Sequence, residues 1–256
     1  MEEYLKPFLE IGREIYEFLQ SVQEKAGMGR EIGTGADGSP TKFVDRKAED
    51  IIIRGVAEND LPLNIVSEER GIMSRNYQKN LLVDPIDGTF NLVNNIPAYA
   101  VSMAVCGSDV SSTESGFIMN LASGDWYYTA RGHRLVMNGK ECKAPEKRSG
   151  TFLVHLSSKL DKRSLELISR ARKYRYMGCA ALELAMVASG SADVSAHLGR
   201  SAPLRNIDVA AGVMMVREAG GTVVDGYGKD FNLGIDPAEK KNMIAAYSSS
   251  ILEGFL

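Results

Sequence analysis

Apolar and small residues recur at spacings of three and four from Tyr4 to Ala26. Leu5, Phe8, Gly12, Ile15, Leu19, Val22 and Ala26 fall on one face, so the spacing predicts an amphipathic helix that Gly27 and Gly29 end. Glu31 to Lys42 holds Gly33, Gly35, Gly38 and Pro40 among polar residues and reads as a loop. Phe43 to Val56 is helical again, with Asp45, Arg46, Lys47, Glu49 and Asp50 on its wet face. The period then changes. Asn64–Ser67 and Leu81–Val83 are short apolar runs that stop at acidic residues, as buried strands do. Ala98–Cys106, Glu114–Asn120, Asp125–Ala130 and Arg134–Met137 continue as strands, with Ser123-Gly124 and Asn138-Gly139 supplying turns, and read as an antiparallel meander.

The C-terminal part alternates. Strands are expected at Phe152–Leu156, Tyr174–Met177, Asp193–His197 and Thr222–Val224. Helices are expected from Asp161 as cap to about Lys173, over Ala180–Ser189, and from Asp208 through Ala219. No internal repeat, low-complexity tract or Pro/Ser linker interrupts the chain. The sequence is therefore read as one unit over 1–256, with an N-terminal half of about 1–145 and a C-terminal half of about 146–256 sharing one layered body.

The 256 residues are 44% hydrophobic and 25% charged, which excludes a disordered chain and supplies a sizeable core. A net charge of −3 argues against a nucleic-acid binder. Cys106, Cys142 and Cys179 are widely spaced and odd in number, which suits reduced, buried thiols and neither a disulfide framework nor a thiolate zinc site. Met1–Leu9 lacks the apolar core of a signal peptide, and apolar runs such as Val209–Val216 fall far short of the ~20 residues of a membrane span. A cytoplasmic protein with no membrane partner is expected.

The chemistry concentrates at Asp84-Pro85-Ile86-Asp87-Gly88-Thr89. Two carboxylates flank a stiff Pro-Ile step after an apolar strand, and Gly-Thr then opens a short helix whose N–H groups attract anions. Glu68 and Glu69 also follow a strand directly, and Asp208 stands at the mouth of a helix. Acids gathered at strand and helix ends repel one another unless cations neutralise them, and hard oxygen donors suit magnesium or manganese rather than zinc. A lone Asp after a strand is ordinarily a turn former, and Asp208 alone would be an N-cap. An EF-hand fails on spacing, with Asn95 where its last ligand would stand. Glycosidase-type paired carboxylates remain open, although they have no need of the Gly-Thr helix start.

Ser67-Glu68-Glu69, Asp84-Pro85-Ile86-Asp87-Gly88-Thr89 and Ile207-Asp208-Val209-Ala210-Ala211-Gly212, followed by Glu218-Ala219-Gly220-Gly221, together resemble the signature set of the inositol monophosphatase family. The resemblance covers nearly the whole chain. Gly35–Lys42 and Ala181–Ala185 resemble archaeal members, which often act on both inositol-1-phosphate and fructose-1,6-bisphosphate. Many relatives carry Trp where this chain has Ile207, a change expected to touch packing rather than ligation.

The resemblance implies an α+β fold, a layered α/β/α/β/α sandwich of the sugar-phosphatase type, and a Mg2+-dependent phosphomonoesterase. Glu68, Asp84 and the Ile86 carbonyl would hold one ion; Asp84, Asp87 and Asp208 a second; and a third, weaker ion would sit near Glu68 with the Asp37 loop. Mn2+ is an expected substitute. Thr89, oriented by Asp45, would position the attacking water with Glu68. Two ions about 3.5–4 Å apart clamp the oxygens of an in-line displacement, and no Ser or Cys nucleophile is needed. The Gly88 and Thr89 N–H groups would cradle the phosphate, with Asp87, Arg175, Ala180 and Arg200 around the sugar; guanidinium suits a second phosphate. A homodimer is implied on the same ground.

Two rivals stand beside this reading: a nucleotide phosphatase acting on NADP or 3′-phosphoadenosine 5′-phosphate, and a non-catalytic regulator that kept the fold. Gly33-Thr34-Gly35-Ala36-Asp37-Gly38 matches a dinucleotide fingerprint only in letters, since no strand precedes it and Ser39-Pro40 follows; it reads as a loop closing over the metals. His133, His155 and His197 are scattered and form no ligand pattern. Met214-Met215 reads as core, and Trp126, Tyr127 and Tyr128 as strand packing or a subunit contact.

Overall fold

The computed structural model describes residues 3–22, 27, 29–35, 40–142, 148–156, 161–253 and 255. Its elements, in chain order, are α1 (Leu5–Ser21), β1 (Glu31–Thr34), β2 (Pro40–Lys42), α2 (Phe43–Glu58), β3 (Leu63–Ser67), β4 (Gly71–Met73), β5 (Lys79–Asp87), α3 (Thr89–Val93), β6 (Ala100–Cys106), β7 (Ser115–Asn120), β8 (Trp126–Ala130), β9 (Val136–Met137) and β10 (Lys140–Glu141). They continue with β11 (Thr151–Val154), α4 (Lys162–Arg170), β12 (Lys173–Arg175), α5 (Ala180–Ala188), β13 (Val194–His197), β14 (Leu204–Arg205), α6 (Asn206–Glu218), β15 (Thr222–Asp225), β16 (Lys240–Lys241) and β17 (Met243–Ala246).

Two sheets carry the fold. The larger runs β10-β9-β8-β7-β6-β5-β3-β4 and the smaller β12-β11-β13-β17-β15. The central strands of each are buried on both faces, which is why they read as continuous apolar runs rather than alternations, while the edge strands β10 and β12 are exposed. On the larger sheet, Leu81, Val83, Val101, Met103 and Val105 pack with Phe8, Ile15, Ile52 and Val56 of α1 and α2. From its other face, Leu82, Ala100, Ala104 and Cys106 meet α5 and α6, and Leu153, Met243 and Ala245 of the smaller sheet reach the same core. Beyond it, Phe152, Val154, Val194 and Ile244 pack with Leu167 of α4. The order α1/α2, sheet, α5/α6, sheet, α4 is the expected α/β/α/β/α sandwich.

The departures have local causes. Glu31–Lys42 is not a plain loop: β1 and β2 pair antiparallel, Gly33 opposite Thr41 and Thr34 opposite Pro40, around residues outside the description. Gly33, one of the glycines that suggested a loop, sits in β1 itself. The first helix ends at Ser21, and the rest of its predicted span includes residues 23–26, outside the described residues. The strand at Leu81–Val83 does not stop at the acids; β5 runs on through Asp84 to Asp87. The meander holds from β5 to β10, but β3 joins β5 in parallel, Ser67 opposite Val83. All three cysteines are free, and Cys142 is only partly buried.

Candidate active site

In an unbroken strand, residues three apart point to opposite faces. Asp84 pairs with Ser102 and Asp87 with Ala100, so Pro85 and Ile86 together oppose the single residue Val101. That bulge adds one residue and restores the parity. Ala100 lies in the core toward α5 and α6, and both carboxylates turn to that same face. Pro85 fits here because a bulge frees its position from donating a ladder hydrogen bond. At the end of the strand Gly88 takes φ +88, and a Cβ there would meet the Ala98 carbonyl oxygen at 2.8 Å. Only glycine fits that turn into α3.

The parallel register of β3 with β5 sets Glu68, one residue past Ser67, beside Asp84. Its neighbour Glu69 turns away: its carboxylate accepts a hydrogen bond from Thr41 Oγ1 and is buried. Asp208 arrives on the third residue of α6, which packs against β5, β6 and β7. Glu68, Asp84, Ile86, Asp87, Gly88, Thr89, Ala180 and Asp208 line one cavity of about 330 Å3. Asp45, in the first turn of α2, stands behind its wall: Thr89 Oγ1 lies 2.9 Å from Asp45 Oδ1 and 2.9 Å from the Ile86 carbonyl oxygen. The backbone N–H of Ala181 donates to Asp87 Oδ2 at 2.6 Å, tying the start of α5 to the bulge. Asp37 lies outside the described residues. Arg175 is exposed and donates to the Tyr174 carbonyl at 2.7 Å, Arg200 is exposed, and neither lines this cavity.

Crowding shows in the acidities. Burial, then the charges of Glu68, Asp87 and Asp208, raise Asp84 well above the usual carboxylate range. Burial, then Asp208, pushes Asp87 up to about 7. Burial raises Asp45 to about 7 against the hydrogen bond of Thr89, with Glu68 and Glu69 adding to the rise.

Arg205 was not singled out by the sequence. Its guanidinium joins two of the acids: Nη1 lies 2.7 Å from Glu68 Oε1, and Nη2 and Nε lie 2.9 and 3.1 Å from Asp208 Oδ1. Among the described residues no three His, Cys, Asp or Glu side chains stand together as a finished metal cage, and this bridge occupies the space between two of the expected ligands. The donors themselves are carboxylate and carbonyl oxygens, which fit a hard divalent ion. Lys42 lines the same cavity.

The histidines are not all scattered. β11 and β13 pair in parallel with Val154 opposite Ala196, which sets His155 beside His197 with ring centroids 5.6 Å apart. Tyr176 stands edge-on to His155 at 4.8 Å. His197 Nε2 is 2.8 Å from the fully buried Glu183 Oε2, and Met177 N–H donates to Glu183 Oε1 at 3.1 Å. Burial pushes the Glu183 carboxyl up, but His197 and these hydrogen bonds outweigh it and hold it below the usual range. His155, His197 and Tyr176 line a cavity of about 160 Å3 that shares Asp87, Ala180 and Leu204 with the acidic one. Only the strand register reveals this pair; no spacing in the sequence does.

A profile of the inositol monophosphatase family matches residues 1–255. The chain belongs to the inositol monophosphatase family. A fructose-1,6-bisphosphatase/inositol-1-monophosphatase of Thermococcus kodakarensis is 32% identical over 248 residues, covering 97% of this chain and 94% of the relative. A bifunctional NADP phosphatase/NAD kinase of Methanococcus maripaludis is 30% identical, over 84% of this chain but 42% of that larger protein. Among solved structures, a hypothetical protein from Pyrococcus horikoshii described as having similarities to inositol-1 monophosphatase superposes with a TM-score of 0.82 at 31% identity, covering 98% of this chain and 97% of that one. Membership in this phosphatase family makes the chain a phosphoric monoester hydrolase, and the glycosidase reading lapses.

Proposed function

We propose that the chain hydrolyses the phosphate ester of a small polyol or sugar, inositol-1-phosphate or fructose-1,6-bisphosphate, with Mg2+ held by Glu68, Asp84, Asp87, Asp208 and the Ile86 carbonyl. The observation that carries this reading is the β5 bulge, which turns Asp84 and Asp87 to one face beside Glu68 and Asp208. Bound divalent ions at such donors supply charge neutralisation of the phosphoryl oxygens and acidify water. The protein's own part is positional. Thr89, held by Asp45 at 2.9 Å, orients the attacking water. The N–H groups of Gly88 and Thr89 face the phosphate, and the cavity at His155, Tyr176 and His197 receives the hydroxyl-bearing remainder. Two or three ions, a role for Asp37, and a contact from Ala180, which lines both cavities, belong to the same proposal; Arg175 and Arg200 lie outside both linings.

The relative named as an NADP phosphatase supports a nucleotide as second substrate. The relative named fructose-1,6-bisphosphatase/inositol-1-monophosphatase, matched over 97% of this chain and 94% of its own length, favours the small polyol or sugar ester. Three free cysteines suit the reducing cytoplasm, and no described helix is long and apolar enough to cross a membrane. Phosphate release from inositol-1-phosphate, fructose-1,6-bisphosphate and NADP, each with Mg2+, tests the reading. The two small esters should be cleaved and Asp208→Asn should lose at least ~10²-fold in kcat while staying folded. Near-normal turnover by Asp208→Asn would refute the ligand set, and preference for NADP would replace the polyol.

A further inference from the structure

We propose that Arg205 is a built-in counter-ion for the acidic cluster, which an arriving divalent cation displaces from Glu68 and Asp208, so that this one side chain sets how tightly the site takes metal. The inference rests on the reading of these acids as metal ligands given above. It concerns a residue that the sequence motifs do not single out.

Backbone geometry fixes the position. Arg205 is the residue just before α6, and its own N–H donates to Asp208 Oδ2 at 2.9 Å. The side chain then folds back across the helix start, with Nε and Nη2 on Asp208 Oδ1 and Nη1 on Glu68 Oε1. It is 13% exposed, against 21% and 12% for its two partners. Helix stability does not explain this placement, because the N-terminal end of a helix favours anions and disfavours a guanidinium. The acids do explain it. The cavity is lined by four carboxylates, Glu68, Asp84, Asp87 and Asp208, against two cations, Lys42 and Arg205. Buried like charges of that density are costly unless paired, and arginine remains charged at any pH the protein meets.

The same pairing has a price at the metal. Glu68 Oε1 and Asp208 Oδ1 are engaged by the guanidinium, and a divalent ion coordinated by those oxygens competes for them. An internal competitor raises the apparent dissociation constant to the intrinsic value divided by the fraction of protein in which the ligands are free, so a guanidinium that engages them about nine-tenths of the time weakens binding about tenfold. Removing it should therefore tighten metal binding while loosening the metal-free fold, the reverse of what loss of a ligand does.

Calorimetric titration of the full chain with Mn2+, in wild type, Arg205→Met and Arg205→Lys, tests this. Arg205→Met should bind Mn2+ roughly tenfold or more tighter than wild type. Its metal-free Tm should fall, and the rise in Tm on adding Mn2+ should exceed that of wild type. Arg205→Lys, which keeps charge but not the fork, should lie between, and it carries the test if Arg205→Met does not fold. Equal or weaker Mn2+ binding in the variants overturns the proposal. Asp208→Asn separates the two claims. If wild type binds Mn2+ and Asp208→Asn weakens it while the Arg205 variants match wild type, the ligand assignment stands and the counter-ion falls. If wild type takes up no Mn2+, the ligand assignment itself fails.

Discussion

One hydroxyl proton at Thr89 faces two acceptors, Asp45 and the Ile86 carbonyl, each 2.9 Å away. A hydroxyl donates only once, so which of the two accepts depends on whether Asp45 is ionised. Thr89→Val keeps the shape and removes the hydroxyl that the proposed mechanism uses to orient water. It should lower kcat by ~10²–10⁴-fold, the range for a positioned proton-transfer group, and leave KM nearly unchanged; a proportional rise in KM instead would assign Thr89 to binding. Glu183 behaves differently. It is fully buried and tied to His197, Ser195 and the Met177 N–H, so Glu183→Ala strands a buried histidine. Denaturant titration should show a loss of roughly 1–3 kcal/mol from the buried groups left without their partner, and no loss would contradict the pairing.

At the scale of elements, the helix α6 brings Asp208 to the sheet, and Gly116 on β7 sets how close it comes. A Cβ at Gly116 would meet the Ala211 Cα and carbonyl oxygen at 3.0 Å, backbone atoms that cannot swing aside. Gly116→Val should cost about 1–3 kcal/mol by overpacking and weaken Mn2+ binding through displaced Asp208; unchanged binding would show that this contact does not position the site. The meander and the layer order were legible because the central strands of both sheets are buried on both faces and read as apolar runs. That Asp84, Asp87, Glu68, Thr89 and Asp208 gather around one cavity was legible because they sit in contiguous motifs at element ends. The bulge that aims Asp84 and Asp87 was visible only as a Pro-Ile step, and β1–β2 was hidden by glycines, of which Gly33 sits in β1 itself. Arg205 and the His155–His197 pair were not legible at all, since one depends on a side chain folding over a helix start and the other on strand register.

For the molecule as a whole, the raised carboxyl pKa values fix how metal-free stability depends on pH. Asp45 and Asp87 keep their protons up to about 7 in the folded chain, whereas an unfolded aspartate loses its proton near 3.9. Between those values the folded state binds more protons, so stability falls as pH rises from about 4 through 7. Thermal melts in excess chelator should show Tm declining across that window, and added Mg2+ should flatten the decline. A metal-free Tm that rises over the same window would contradict the crowded-acid picture. The most direct test of the central claim is inositol-1-phosphate hydrolysis followed in Mg2+ and again in excess chelator. Turnover that vanishes with chelation and returns on Mg2+ repletion is the predicted result; equal rates in both would contradict it.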